Sequence, residues 1–247
     1  MVGILSDIGN IRKINEDFVD FYRNDKFSIY VVADGMGGHN AGEVASKLAV
    51  ETIISFIKSL DNIDDMEDVL KKSIQSANDK IFELAKNNEA LGGMGTTITA
   101  CLVKSKQMIT ANVGDSSCYI VKYDGITKIT KDHSLVQQLI DEGSITEEEA
   151  ANHPNKNIIT RALGTNLSVE IDTFKVDLSD VKKVIMCTDG LSNGVSTSEM
   201  YDIIMNDDNS NSCRRLVELS KIKGGRDNIS VIVFEGECED DRNHARK

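Results

Sequence analysis

The chain has 247 residues, 40% hydrophobic and 28% charged, enough to bury a sizeable core as one large domain or two small ones. Its 28 basic and 40 acidic residues leave a formal charge of −12, which disfavours a nucleic-acid backbone or an anionic membrane as the main partner. No apolar run approaches the roughly 20 residues that span a bilayer, and residues 1–7 lack the basic-then-apolar pattern of a signal peptide, so a cytoplasmic chain is expected.

Aromatic and β-branched residues at 18–22 and 27–32 flank a polar turn, which predicts a hairpin. Apolar residues at 3–4 spacing predict helices over 41–60 and 65–86, each with one apolar face to lay on a sheet. Strand-like runs at 98–103, 108–113, 117–122 and 126–130 read as a meander, and helical patterns return at 134–142 and 146–152. Strands at 169–176 and 182–188, helices at 198–206 and 211–222 and a last strand at 229–235 follow. The polar stretch 237–247 has no periodicity and is expected to fray. Hairpins alternating with helix pairs favour an α+β layered domain with antiparallel sheets. The cysteines Cys101, Cys118, Cys187, Cys213 and Cys238 are widely spaced without a C-x-x-C pair, which matches neither a zinc site nor a disulfide framework. Cys101, Cys118 and Cys187 lie in apolar runs and read as small buried hydrophobes.

The chemistry is carried by carboxylates at strand ends. In an antiparallel hairpin the start of the first strand and the end of the second share one edge. Asp17 starts a strand and Asp34 ends its partner; Gly95-Thr96 begin a hairpin that Asp115 ends; Asp189 follows one strand and Asp227 precedes another. If the hairpins share an orientation, these carboxylates and Glu16 reach one edge, where they repel unless cations neutralise them. All-oxygen ligands favour hard divalent ions, Mg²⁺ or Mn²⁺, and the Gly35 carbonyl could join them. Arg12 adds one guanidinium, suited equally to a phosphate or to pairing with Glu16 or Asp17. Two such ions beside a phosphate-binding Arg imply phosphoester hydrolysis by in-line attack of a hydroxide bridging them. The sequence holds no P-loop motif.

Arg12-x-x-Asn15-Glu16-Asp17, Ala33-Asp34-Gly35-Met36-Gly37-Gly38, Gly93-Met94-Gly95-Thr96-Thr97, Asn112-x-Gly114-Asp115-Ser116, Asp132-His133-Ser134, Thr188-Asp189-Gly190 and Asp227-Asn228 occur in that order. Together they resemble the motifs of the metal-dependent protein phosphatase 2C family, in particular its compact bacterial serine/threonine phosphatases. The resemblance covers about residues 3–235. It implies a four-layer α-β-β-α sandwich, two antiparallel sheets flanked by helix pairs, in one catalytic domain over 1–236 with a tail at 237–247. It implies two ions, with a third in bacterial forms. Asp34 would bridge two, the Gly35 carbonyl would join it, Asp189 and Asp227 would hold the second, and Asp115 with Asp189 the third. Glu16 and Asp17 match positions that hold metal-bound waters, and Arg12 matches the phosphate-binding Arg. The segment 136–162, with Pro154 and Arg161, matches a variable flap beside the cleft.

Two departures stand out. Larger eukaryotic members carry a His after the Asp-Gly pair, where this chain has Met36; the nearest alternative proton donor is His39. The family's Arg after Gly-Asp-Ser is here Ser117, and His133 and His153 read as structural. The expected substrates are phosphoserine and phosphothreonine proteins, including a partner kinase and its targets, with the chain acting as a monomer. The competing readings are a phosphatase of small phosphoesters and a catalytically silent cation-binding module.

Overall fold

The computed structural model describes residues 1–37 and 41–236, so His39, Cys238 and the stretch 237–247 lie outside the described residues. In chain order, β1 (Val2–Asp7), β2 (Asp17–Arg23) and β3 (Ser28–Met36) precede two long helices, α1 (Ala41–Lys58) and α2 (Met66–Asn87). A short β4 (Gly95–Thr96) leads to β5 (Ile98–Lys104), β6 (Gln107–Val113), β7 (Ser117–Lys122) and β8 (Gly125–Lys128). Helices α3 (Leu135–Asp141) and α4 (Glu147–Ala151) lie in the expected flap, followed by β9 (Asp172–Asp177) and β10 (Lys183–Cys187). The chain then forms a one-turn α5 (Asp189–Ser192), α6 (Thr197–Asn206), α7 (Asn209–Ile222) and β11 (Ile229–Glu235).

The strands form two sheets with antiparallel pairings, ordered β1-β11-β10-β7-β8 and β2-β3-β5-β6-β9, with β4 added to β3. Central strands are apolar at almost every position because both of their faces are covered. In β3, Ile29, Val31 and Ala33 pack towards α1 and α2, while Tyr30 and Val32 face the other sheet. In β11, Val231 and Val233 pack towards α6 and α7, while Ile232 and Phe234 face inward. Successive side chains on a strand point to opposite faces, so three separate apolar layers result, and they define the expected α-β-β-α order. Tyr30 and Phe234 stack across the inter-sheet layer with ring centroids 3.8 Å apart.

The helices match the 3–4 periodicity, and α2 and α6 start at side-chain caps. The Asp65 side chain accepts from the Asp68 N–H at the start of α2, and Ser196 with Glu199 forms a capping box on α6. β1 has no counterpart in the sequence patterning. Gly3 breaks its alternation, and the strand is ordered by pairing with β11 from Val2↔Phe234 to Asp7↔Ile229. Among the described residues, no helix is long and apolar enough to cross a membrane. Cys101, Cys118, Cys187 and Cys213 are buried free thiols.

Candidate metal centre

The β2–β3 register sets Asp17 directly opposite Asp34, as hairpin geometry requires. Just beyond, the Gly35 N–H donates to the Glu16 carbonyl at 3.0 Å. Here the main chains cross so closely that a Cβ on Gly35 would lie 2.1 Å from the Gly42 oxygen and 2.5 Å from that of Glu16. The Gly95-Thr96-Thr97 stretch locks the Asp34 peptide from the other side. Thr97 N–H and Thr96 Oγ1 donate to the Asp34 carbonyl at 2.8 and 2.9 Å, and Asp34 N–H donates to Thr97 Oγ1 at 3.0 Å.

The second sheet delivers Asp189 and Asp227 from adjacent antiparallel strands, β10 and β11. Gly190 is required by packing: a Cβ there would lie 1.9 Å from the Asn228 carbonyl oxygen. Asn228 also organises the loop bearing Arg12 and Glu16. Its Nδ2 donates to the Ile8 and Ile14 carbonyls at 3.0 Å each, and its Oδ1 accepts from Glu16 N–H at 2.8 Å. Arg12 Nη2 reaches Asp227 Oδ2 at 2.8 Å, with Glu16 at 3.9 Å. The carboxylate partner nearest Arg12 is therefore Asp227, at the far end of the sequence.

Arg12, Glu16, Asp34, Gly35, Asp115, Asp189 and Asp227 line one cleft of about 280 Å³, together with Met36 and Asn157. Asp17 stands behind that wall, 6% exposed, accepting from Thr188 Oγ1 at 2.8 Å. No His lines the cleft among the described residues. Asn157 reaches it from the flap, and no sequence pattern marks it.

Burial raises the carboxyl pKa values of Glu16, Asp17, Asp34, Asp115 and Asp189, and repulsion from neighbouring carboxylates adds to the effect. Asp17 is pushed up to about 7 by burial, against hydrogen bonds from Ser230 and Thr188, with Asp189 and Asp227 raising it further. Asp115 also reaches about 7, through burial and then Asp189 and Asp132. Asp34 is lifted well above the carboxylate range by burial and by Asp17, Asp189, Asp115 and Asp227. Burial likewise raises Asp189 and Glu16, with Asp227 adding to the first and Arg12 opposing the second.

Two buried oxygens, Asp17 Oδ1 and Asp189 Oδ1, receive no hydrogen bond among the described residues. Asp34 can bond Asp189 only when one of the two holds a proton. Oxygen-only donors, orphaned lone pairs and carboxyls that hold protons near neutrality are what a hard divalent cation would relieve. The residues therefore fit such ions. Among the described residues, no three His, Cys, Asp or Glu side chains already close on a common point; Asp227 is bonded to Arg12 and Asp17 to Thr188.

The sequence profile described as protein phosphatase 2C matches residues 12–215. The chain belongs to the protein phosphatase 2C family. It is 41% identical to the serine/threonine phosphatase stp of Listeria innocua over 93% of each chain. A solved bacterial serine phosphatase superposes with a TM-score of 0.92 at 33% identity, covering 97% of this chain and 98% of that one. The catalytic domain of the serine/threonine protein phosphatase PstP, solved in complex with two manganese ions, gives 0.82 at 34% identity over 94% and 96%. This protein phosphatase 2C member is thus an enzyme of a metal-dependent family, and its layers are those of its relatives.

Proposed function

We propose that this phosphatase hydrolyses phosphoserine and phosphothreonine monoesters in proteins, by direct attack of water with no covalent phosphoenzyme. The observation that carries this reading is the meeting of Asp34, Asp115, Asp189 and Asp227 with Arg12 on one cleft. Mn²⁺ or Mg²⁺ bound there would neutralise phosphate charge and acidify a water. Asp34 would help hold both ions with the Gly35 carbonyl beside it, Asp189 and Asp227 would hold the second, and Asp115 with Asp189 a third. Arg12 leaves Asp227 to fork the substrate phosphate, since its planar guanidinium matches two phosphate oxygens. Glu16, at the rim, and Asp17, behind the wall, would accept hydrogen bonds from waters on the ions. Met36 carries no proton, so the leaving alkoxide is protonated by another group. Asn157 faces the same cleft and can donate to the substrate from the flap.

The substrates on this reading are targets of a serine/threonine kinase and the kinase itself, met in the cytoplasm by a monomeric enzyme. Four buried free thiols accord with a reducing compartment. The test is phosphate release from a phosphothreonine peptide with Mn²⁺, with chelator and in Asp34→Asn. Turnover should fall at least about a hundredfold on chelation and in the variant, as for loss of a metal ligand or its close partners. Chelator-resistant turnover, or full activity in Asp34→Asn, overturns the assignment.

A further inference from the structure

Asp132-His133-Ser134 is the one motif that the metal chemistry leaves unused. His133 is 7% exposed and sits at the root of the flap, where Thr160 N–H donates to its carbonyl at 2.7 Å and Leu135 N–H to that of Ile158 at 2.8 Å. It also grips Gly114 twice. His133 N–H donates to the Gly114 carbonyl at 2.9 Å, and Gly114 N–H donates to His133 Nδ1 at 3.1 Å. Asn112 Nδ2 donates to the same carbonyl at 3.1 Å. Gly114 has φ +102°, and a Cβ there would lie 2.5 Å from Thr97 Cγ2, so the turn accepts only glycine.

A backbone N–H can only donate, so Nδ1 carries no proton and the ring hydrogen sits on Nε2. Nε2 lies 3.1 Å from Asp172 Oδ2 and donates to it. Arg161 Nη1 takes the other oxygen at 2.9 Å. It also lies 3.1 Å from Nε2, a contact that is a hydrogen bond only in the tautomer that the Gly114 N–H excludes. Asp172 thus aims the imidazole, and the imidazole holds the peptide that precedes Asp115.

We propose that His133 is a positioning residue, whose Nδ1 fixes the Gly114-Asp115 turn and through it the direction in which Asp115 enters the cleft. The inference rests on the reading of Asp115 as an ion-holding carboxylate. Without the acceptor, Gly114 N–H is a buried donor that must rotate to find another partner, and the Asp115 backbone rotates with it.

Asparagine places an acceptor where Nδ1 stands but does not reach Asp172. Glutamine extends an N–H towards Asp172 but offers no acceptor to Gly114. The measurement is the Mn²⁺ concentration giving half-maximal phosphate release by the full chain, with Tm recorded for each variant. His133→Gln should raise that concentration about tenfold or more, as for loss of a residue supporting a ligand, and His133→Asn should recover most of the shift. A His133→Gln enzyme with unchanged Mn²⁺ dependence, or an Asn variant no better than Gln at equal Tm, overturns the proposal. Asp115→Asn separates the two layers. If it shifts the Mn²⁺ dependence while His133→Gln does not, the positioning role alone falls; if Asp115→Asn shifts nothing, the reading of Asp115 falls and takes the proposal with it. Should the His133 variants not fold, ¹⁵N imidazole spectra of the wild-type protein during Mg²⁺ titration serve instead. The His133 Nδ1 resonance should be that of an unprotonated nitrogen and should move as Mg²⁺ binds, in the wild type but not in Asp115→Asn. A protonated Nδ1 or an unresponsive resonance overturns the assignment.

Discussion

Gly190 shows how a single missing atom sets the site. Its Cα faces the Asn228 carbonyl, with no room for a methyl group between them. A Gly190→Ala substitution must push apart the segments carrying Asp189 and Asp227. We expect a loss of about 1–3 kcal/mol, the usual cost of overpacking, read as a lower urea midpoint at unchanged m. Weaker Mn²⁺ activation should accompany it, and an Ala variant with wild-type stability and activation would contradict the close approach. Asp34 and Asp189 are legible in the sequence because each ends an apolar run and meets a glycine at once. Thr188 and Asn228 stand beside Asp189 and Asp227 in the sequence, but their partners are not legible. Thr188 bonds Asp17 across 171 positions, and Asn228 bonds Ile8, Ile14 and Glu16 across more than 200. No local spacing encodes such partners. Arg12 was open between a phosphate and a neighbouring carboxylate for the same reason: Asp227 is its neighbour only in the folded chain.

At the scale of elements, what could be read was what repeats. The 3–4 rhythm located α1 and α2 within a few residues of their ends, and hairpin geometry set Asp17 against Asp34. β1 escaped because an edge strand is held by one partner and need not alternate cleanly. Its Gly3 instead answers to α7, where a Cβ would lie 2.2 Å from the Asn209 oxygen. β9 begins at Asp172 rather than near 169, since its extent follows its ladder with β6, from Gln107↔Asp177 to Asn112↔Asp172. Helix starts follow local chemistry and are easier to foresee. Ser196→Ala removes the side-chain acceptor of the α6 capping box and should cost about 1 kcal/mol, measured by urea unfolding, with turnover unchanged because α6 lies away from the cleft. A loss above the capping range, or an altered kcat, would give Ser196 a further role.

For the molecule as a whole, the acidic edge ties stability to pH. In the folded, metal-free chain Asp17 and Asp115 keep their protons to about 7, from an ordinary value of 3.8. Between those limits the folded state binds more protons than the unfolded one, so stability falls as pH rises and is fully present only below the lower limit. Asp172 and Glu199 shift the opposite way, and their effects lie at lower pH. With chelator present, Tm should therefore drop from about pH 5 to pH 8. Cations held there would displace those protons, so Mn²⁺ should raise Tm more at pH 8 than at pH 5. A metal-free Tm that climbs across this interval would show that these carboxyls are already ionised.

The inter-sheet layer, with Tyr30 stacked on Phe234, holds together two leaves that contribute different carboxylates: Asp34 from one, Asp189 and Asp227 from the other, and Asp115 from the β6–β7 connection between them. Ions seated between them would act as a clasp at the open edge of a book. Cation supply would then govern how long a folded molecule survives as well as how fast it turns over. In a cell starved of the ion, the enzyme would lose both its activity and its resistance to proteases, so the pool itself would shrink.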